Sequence, residues 1–177
     1  MKELMIDDKK IIIRPITVDD AAAMIDYMNV IGGESDFLTF GPGELNITID
    51  TEKSIIEGFT NKDNALFIIA VVDGKIIGAL SFSGGARKRL AHAGEFGVSV
   101  LKEYWGKGIG QELIKYMIDW AKETKIIRKI NLRTRSDNER AIRLYKKLGF
   151  EEEGLLRRDF QINGKFYDSL MMGMLID

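Results

Sequence analysis

Cysteine is absent from this 177-residue chain, which excludes disulfides, thiolate metal sites and a cysteine nucleophile. Histidine occurs once, at His92, so a metal centre built from imidazoles is not expected, and neither is any bound metal. Proline is nearly missing, with only Pro15 and Pro42, and no Ser- or Gly-rich linker divides the chain. The length then fits one domain, residues 1–177. Neither sign of charge is in excess: 26 basic residues face 27 acidic ones. A nucleic-acid binder draws most of its affinity from neutralised phosphates and normally carries a basic surplus, so no nucleic-acid partner is expected. No apolar run approaches the ~20 residues of a membrane span, and the first residues, MKELMIDDKK, carry charge throughout instead of an apolar secretion core. The expectation is a cytoplasmic protein without membrane contact.

What is present is an alternation of strand and helix signals. Residues 10–14 read as a short strand stopped by Pro15, and Thr17 caps a helix through about Tyr27 with Asp19 and Asp20 in its first turn. Residues 31–50, with four glycines and Pro42, read as an irregular loop, followed by a short helix near 51–59. Two apolar runs, 65–72 and 75–82, flank Asp73-Gly74 and predict a hairpin. After a basic loop at 84–91 come a strand at 92–100, a tight turn, and a helix from about 108 to 124. That helix places Ile109, Leu113, Met117, Trp120 and Ala121 on one face. A strand at 129–135 leads to a second helix that opens at Ser136, where S-D-N-E fits a capping box, and closes at Gly149. Two final strands, near 150–160 and 165–175, flank Asn163-Gly164. The sum is an α+β fold in three layers, α/β/α: a mixed, mostly antiparallel sheet of about seven strands with helices on both faces.

Three segments point to chemistry. Trp105 to Gln111, WGKGIGQ, joins a strand to a helix and holds three glycines in five residues. Such a turn lets backbone N–H groups converge on one spot, and the helix N-terminus behind it favours an anion; Lys107 could add a full charge. The string for a P-loop is missing, and a dinucleotide fingerprint would need glycine where Gln111 stands. A plain glycine-rich turn is the alternative. In the strand 94–100, Phe96, Val98 and Val100 point one way as core, while Glu95, Gly97 and Ser99 point the other way. A carboxylate beside two small residues leaves room for a ligand and could act as a base; it could equally be a solvated strand carboxylate. Asn138 and Tyr145 lie seven residues apart, nearly on one helical stripe with Ala141 between them. Each has a bland reading too, facing water or packing. His92 falls opposite Glu95 and receives no role.

Together these segments resemble the GNAT superfamily of N-acetyltransferases. EFGVSVLKEYWGKGIGQELI looks like that family's acetyl-CoA motif, and NLRTRSDNERAIRLYKKLGF looks like its second motif, Asn followed by Tyr and then Gly-Phe. One departure stands out: the family pattern is Gln or Arg, two residues, Gly, one residue, then Gly or Ala, and here Gly108 and Gly110 match while Trp105 stands where the Gln or Arg belongs. The resemblance implies acetyl-CoA as co-substrate. Backbone groups of Val98 and Val100 are expected to pair with the pantetheine arm, and the amides of Gly106, Lys107, Gly108, Ile109, Gly110 and Gln111 to hold the pyrophosphate. Asn138 is expected to bond the pantetheine amide, Glu95 to serve as general base, and Tyr145 to be the acid at sulfur. The acceptor is expected to be a primary amine, because HAGEFGVSV and FQINGKFYDSLMMGML look most like the branch acting on peptide N-termini and polyamines. Its end of the cleft is expected to be walled by 31–50, with Glu34, Asp36, Glu44 and Asp50, by the 84–91 loop, with Arg87, Lys88 and Arg89, and by the C-terminal hairpin. Dimers are common in the family, so a homodimer is the assembly that the resemblance suggests. A non-catalytic acyl-CoA-binding module and a nucleotide-dependent oxidoreductase are the rival readings; the first needs neither Glu95 nor Tyr145, and the hairpins count against the second.

Overall fold

A computed structural model describes residues 1–177. Eight strands form one sheet in the order β1-β2-β3-β4-β5-β6-β8-β7. They are β1 (Lys2–Ile6), β2 (Lys9–Pro15), β3 (Ala65–Val72), β4 (Lys75–Gly84), β5 (Ala93–Val100), β6 (Lys129–Arg135), β7 (Glu151–Ile162) and β8 (Lys165–Leu175). The helices are α1 (Ala21–Ile31), α2 (Ile49–Thr60), α3 (Ile109–Thr124) and α4 (Glu139–Lys147). Every neighbouring pair of strands is antiparallel except β5–β6. The mixed, mostly antiparallel sheet is therefore as expected, with one strand more than the sequence signals. The extra strand is β1, which folds back on β2 through Asp7 and Asp8, both at positive φ (48° and 60°). The hairpin turns at Asp73-Gly74 and Asn163-Gly164 have positive φ at both central residues, the geometry that matches strand twist.

The alternation of β5 sorts the helices into two layers. Val100 pairs with Gly78, and a Cβ on Gly78 would touch Leu113 and Ile109 of α3. Phe82, opposite Phe96, packs edge-on against Trp120 of α3 at 5.5 Å between centroids. The even-numbered side of β5 thus faces α3. On the odd side, the Tyr27 hydroxyl of α1 and Ser99 Oγ lie 2.8 Å apart. Phe67, in the row of Gly97, meets Phe59 of α2 at 5.2 Å. The α3 stripe read from the sequence is the buried one: Ile109, Leu113, Met117 and Ala121 are all inaccessible.

Two local expectations change. The first helix begins with a short 3-10 turn at Val18–Asp20 before α1. There the Thr17 N–H donates to Asp20 Oδ2 at 2.8 Å, and Arg14 holds the same carboxylate with two bonds of 2.8 Å. The second correction is at α4, whose N-cap is Asn138 rather than Ser136. Asp137 is drawn off by Arg135, which bonds it at 3.0 and 2.7 Å, and the Ser136 N–H donates to the Asp168 carbonyl. The first side chain free to cap is then Asn138, whose Oδ1 accepts the Ala141 N–H at 3.3 Å. Gly149, at φ 100°, ends the helix as expected.

Candidate active site

The one parallel pair of the sheet is short. β5 and β6 are in register only at Ala93–Lys129, Gly94–Ile130 and Glu95–Asn131, although β5 continues to Val100 and β6 to Arg135. Beyond Glu95 the two strands part and leave a wedge in the middle of the sheet. Odd residues of β5 direct their backbone groups toward β4, as the Leu101 N–H to Ile77 and the Gly85 N–H to Ala93 bonds fix. The backbone groups of Val98 and Val100 therefore point into the wedge, where no strand meets them. One of those groups is already engaged: the Val100 carbonyl accepts the Trp105 indole N–H at 2.7 Å.

At the mouth of the wedge stands the glycine turn. Gly106 and Gly108 have φ of 76° and 82°, a region that side-chain-bearing residues avoid. The Trp105 N–H donates to Lys102 and the Glu112 N–H to Gly108, yet none of the amides from 106 to 111 donates to an acceptor in the chain. Six successive unpaired N–H groups at the start of a 16-residue helix form a strong anion cradle. Lys107 adds less charge than its position suggests, because it is ion-paired with Asp7 in the β1–β2 turn. A Cβ on Gly110 would lie 3.8 Å from Val100 Cγ2, so this residue keeps the space between α3 and β5 open.

The remaining expected residues divide between the two faces of the wedge. Tyr145 lies on the α3 side. Its ring is edge-on to Phe96 and Phe150, each at 6.0 Å, and Phe96 is the first β5 residue past the last β6 pair. Burial alone pushes the Tyr145 hydroxyl up to about 12, with no hydrogen bond or charge contributing. Asn138 is on the same side with its oxygen committed to the α4 cap, which leaves its amide N–H groups for a ligand. Glu95 is on the opposite, α1-facing side and half exposed. Its Oε1 lies 3.8 Å from Arg133 Nε, and Arg133 Nη1 is 3.5 Å from Asp159. Gly97 has open space where a side chain would be. Burial raises the Tyr27 hydroxyl far above its ordinary value, with the Ser99 hydrogen bond acting against that shift.

The walls on the Glu95 side differ from expectation. The 31–50 segment is there, pinned by Arg135. That guanidinium lies between the rings of Phe37 (4.8 Å) and Tyr167 (3.7 Å) and donates to the Asp36 carbonyl at 3.1 Å. Tyr167 brings the start of β8, and so the C-terminal hairpin, to the same place. The acidic residues of the segment are less free than their number suggests, because the Glu34 carboxylate accepts the Lys102 N–H at 2.7 Å. The 84–91 loop is not a wall of the mouth. It joins β4 to β5 at the end where β5 and β6 remain hydrogen-bonded, and Asn64 ties it down through the Gly85 and Ala91 carbonyls at 3.2 and 3.1 Å. His92 is exposed on that same end.

The Acetyltransferase (GNAT) family model matches residues 37–150; the chain belongs to that family. It is similar to a solved structure of a GNAT-family acetyltransferase from Streptococcus pneumoniae, with a TM-score of 0.91 and 31% identity over 94% of this chain and 99% of that one. It is also similar to the L-amino acid N-acetyltransferase AaaT of Escherichia coli (strain K12), 31% identical over 105 residues, 59% of this chain and 65% of that protein. The spermidine N(1)-acetyltransferase of the same organism is 36% identical over 78 residues, 44% of this chain and 42% of that protein. The alignments to these two curated relatives span less than two thirds of their length. Among the groups of the chain, no cluster of three metal-ligating side chains occurs and no helix is long and apolar enough to cross a membrane.

Proposed function

We propose that the protein transfers an acetyl group from acetyl-CoA directly to a primary amine. The observation that carries this reading is the row of six unpaired amides, 106–111, opening onto a wedge that has Tyr145 on one face and Glu95 on the other. The diphosphate of acetyl-CoA suits the amide cradle, and its pantetheine arm suits the free backbone of Val98 and the amide of Asn138, reaching inward as an added strand does. The Val100 carbonyl is not available for that pairing while Trp105 holds it.

The amine arrives protonated and cannot attack in that form. Glu95, through water, takes one proton, the nitrogen lone pair adds to the thioester carbonyl, and the Val98 N–H faces the developing oxyanion. On collapse the C–S bond breaks, the nitrogen releases its second proton to water, and the sulfur leaves as thiolate. Tyr145 is the acid-side residue. Burial raises its hydroxyl to about 12, which keeps it protonated at neutral pH and able to donate to the developing thiolate. Tyr145 therefore stabilises the thiolate by donating a hydrogen bond, and solvent delivers the proton.

For the acceptor, a peptide N-terminus fits better than a polyamine. Of the acidic residues in 31–50, Glu34 is held in place by the Lys102 N–H; it keeps its charge but is less free to turn toward a flexible polycation. The test is thiol release from acetyl-CoA across polyamines, short peptides, free amino acids and aminoglycosides. Turnover of peptides and polyamines is expected; turnover only of free amino acids or aminoglycosides would refute the acceptor class. Coenzyme binding without thiol release to any amine would instead favour a non-catalytic acyl-CoA-binding module.

A further inference from the structure

The tryptophan that departs from the family pattern has a structural consequence on the opposite helix. Trp105 is fixed at both ends of its own residue: its N–H donates to Lys102, and its indole Nε1 donates to the Val100 carbonyl at 2.7 Å. The indole face left outward is 5.6 Å from the guanidinium carbon of Arg140, within the range of a cation–π contact. Arg140 stands in the first turn of α4, whose start is fixed by the Asn138 cap. Its Nη2 lies 3.8 Å from where a Cβ on Gly106 would be, so the guanidinium overhangs the first glycine of the amide cradle. The two nearby cations differ in what they already hold. Lys107 is paired with Asp7, while Arg140 takes part in none of the chain's ion pairs. An unpaired guanidinium over a ring that is held by its own hydrogen bonds, beside six free amides, is poised for a phosphate.

Resting on the acetyl-CoA reading, we propose that Arg140 is a diphosphate-binding residue and that Trp105 is the platform that positions it. The side chain at position 105 would then no longer touch the anion itself. It would hold the Val100 carbonyl with one edge and Arg140 with its face, and the cation would come from α4 instead of from the turn. The rotamer freedom that an arginine loses on binding is reduced in advance by the cation–π contact.

The experiment is calorimetry of the full chain with CoA and with dephospho-CoA, which keeps the diphosphate and lacks the 3′-phosphate. Arg140 is exposed and unpaired, so Arg140→Gln leaves the fold intact, which a thermal melt checks. The expected result is a rise in Kd of about tenfold or more for both ligands, the scale of a lost charge-assisted contact. A second comparison tests the platform: in a Trp105→Leu background, the Arg140→Gln penalty should shrink to less than about threefold, because the cation is no longer held in place. An unchanged Kd for CoA in Arg140→Gln overturns the assignment. A penalty seen with CoA and absent with dephospho-CoA also overturns it, by placing the guanidinium on the 3′-phosphate. A full penalty persisting without Trp105 overturns the platform. If the unaltered chain binds neither ligand, the acetyl-CoA reading itself is what fails.

Discussion

Replacing Tyr145 by phenylalanine separates the two tasks open to this side chain. Its ring packs on Phe96 and Phe150, and phenylalanine keeps that packing. The hydroxyl has no partner that moves its pKa, only burial, so its removal leaves folding stability near neutral pH unchanged or slightly raised. Catalysis should respond differently. A hydrogen bond to a charged group is worth about 1.5–3 kcal/mol, so kcat for thiol release should fall roughly 10- to 150-fold with little change in KM for acetyl-CoA. A second readout is independent of turnover. In the unfolded chain this phenol ionises near its ordinary 10.0, and in the folded chain at about 12. Below the lower value both states keep the proton and the full contribution is present. As pH rises from one value to the other, only the unfolded state loses it, so folding stability declines. For one buried phenol the loss approaches about 3 kcal/mol. Urea melts at pH 8 and in the alkaline range should show a smaller decline for Tyr145→Phe than for the parent chain. Full activity in the variant, at every pH, would return Tyr145 to the packing residues.

Glu95→Gln should depress kcat/KM and flatten its rise with pH, measured with the best amine of the acceptor screen; a profile superimposable on the parent's would place the base elsewhere. Gly110→Trp should abolish CoA binding in a chain that still melts cooperatively, because the indole would fill the gap toward Val100, and unchanged calorimetric affinity would refute the location of the ligand. Gly108 is a poorer test, since its φ of 82° makes any side chain cost about 1–2 kcal/mol of backbone strain. Arg135→Ala removes the guanidinium held by Asp137, the Asp36 carbonyl and two rings. A loss of about 2–3 kcal/mol is expected, with faster proteolysis between residues 32 and 48; unaltered protease resistance there would show that the segment is held by other contacts.

The parts of this molecule that are legible in the sequence are those governed by local rules. Asp73-Gly74 and Asn163-Gly164 specify hairpins because both central residues must take positive φ, and the α3 stripe follows from helical period alone. Asp7 and Asp8 obey the same turn rule, but β1 before them is five residues long and alternates half-buried with exposed positions, too weak a pattern to register. The S-D-N-E pattern places the cap of α4 two residues early, because Asp137 answers to Arg135 on the preceding strand rather than to the helix. Long-range pairings are hidden for the same reason. Nothing in the strings themselves shows that Asp7 neutralises Lys107, that Glu34 caps the segment after β5, or that the 84–91 loop sits at the closed end of the wedge. Each depends on strand order, and only the break in the β5–β6 register reveals which end opens.

On the proposed reading, that break also lets one short strand serve both sides of a reaction. A two-substrate transfer needs donor and acceptor to meet without competing for the same surface. In a continuous sheet the two faces of a strand never communicate, since neighbouring strands seal them apart. Past Glu95 there is no neighbour on the β6 side. A group reaching inward from the glycine turn on the α3 face then meets one arriving from the α1 face, through the plane of the sheet. Period-two alternation does the sorting. Val98 and Val100 line the proposed donor side, while Glu95, Gly97 and Ser99 line the proposed acceptor side, two of the three with almost no bulk. The proposed roles follow the same division: the proposed base, Glu95, stands on an odd residue of β5, and the proposed donor for the leaving sulfur, Tyr145, packs against Phe96 on the other side.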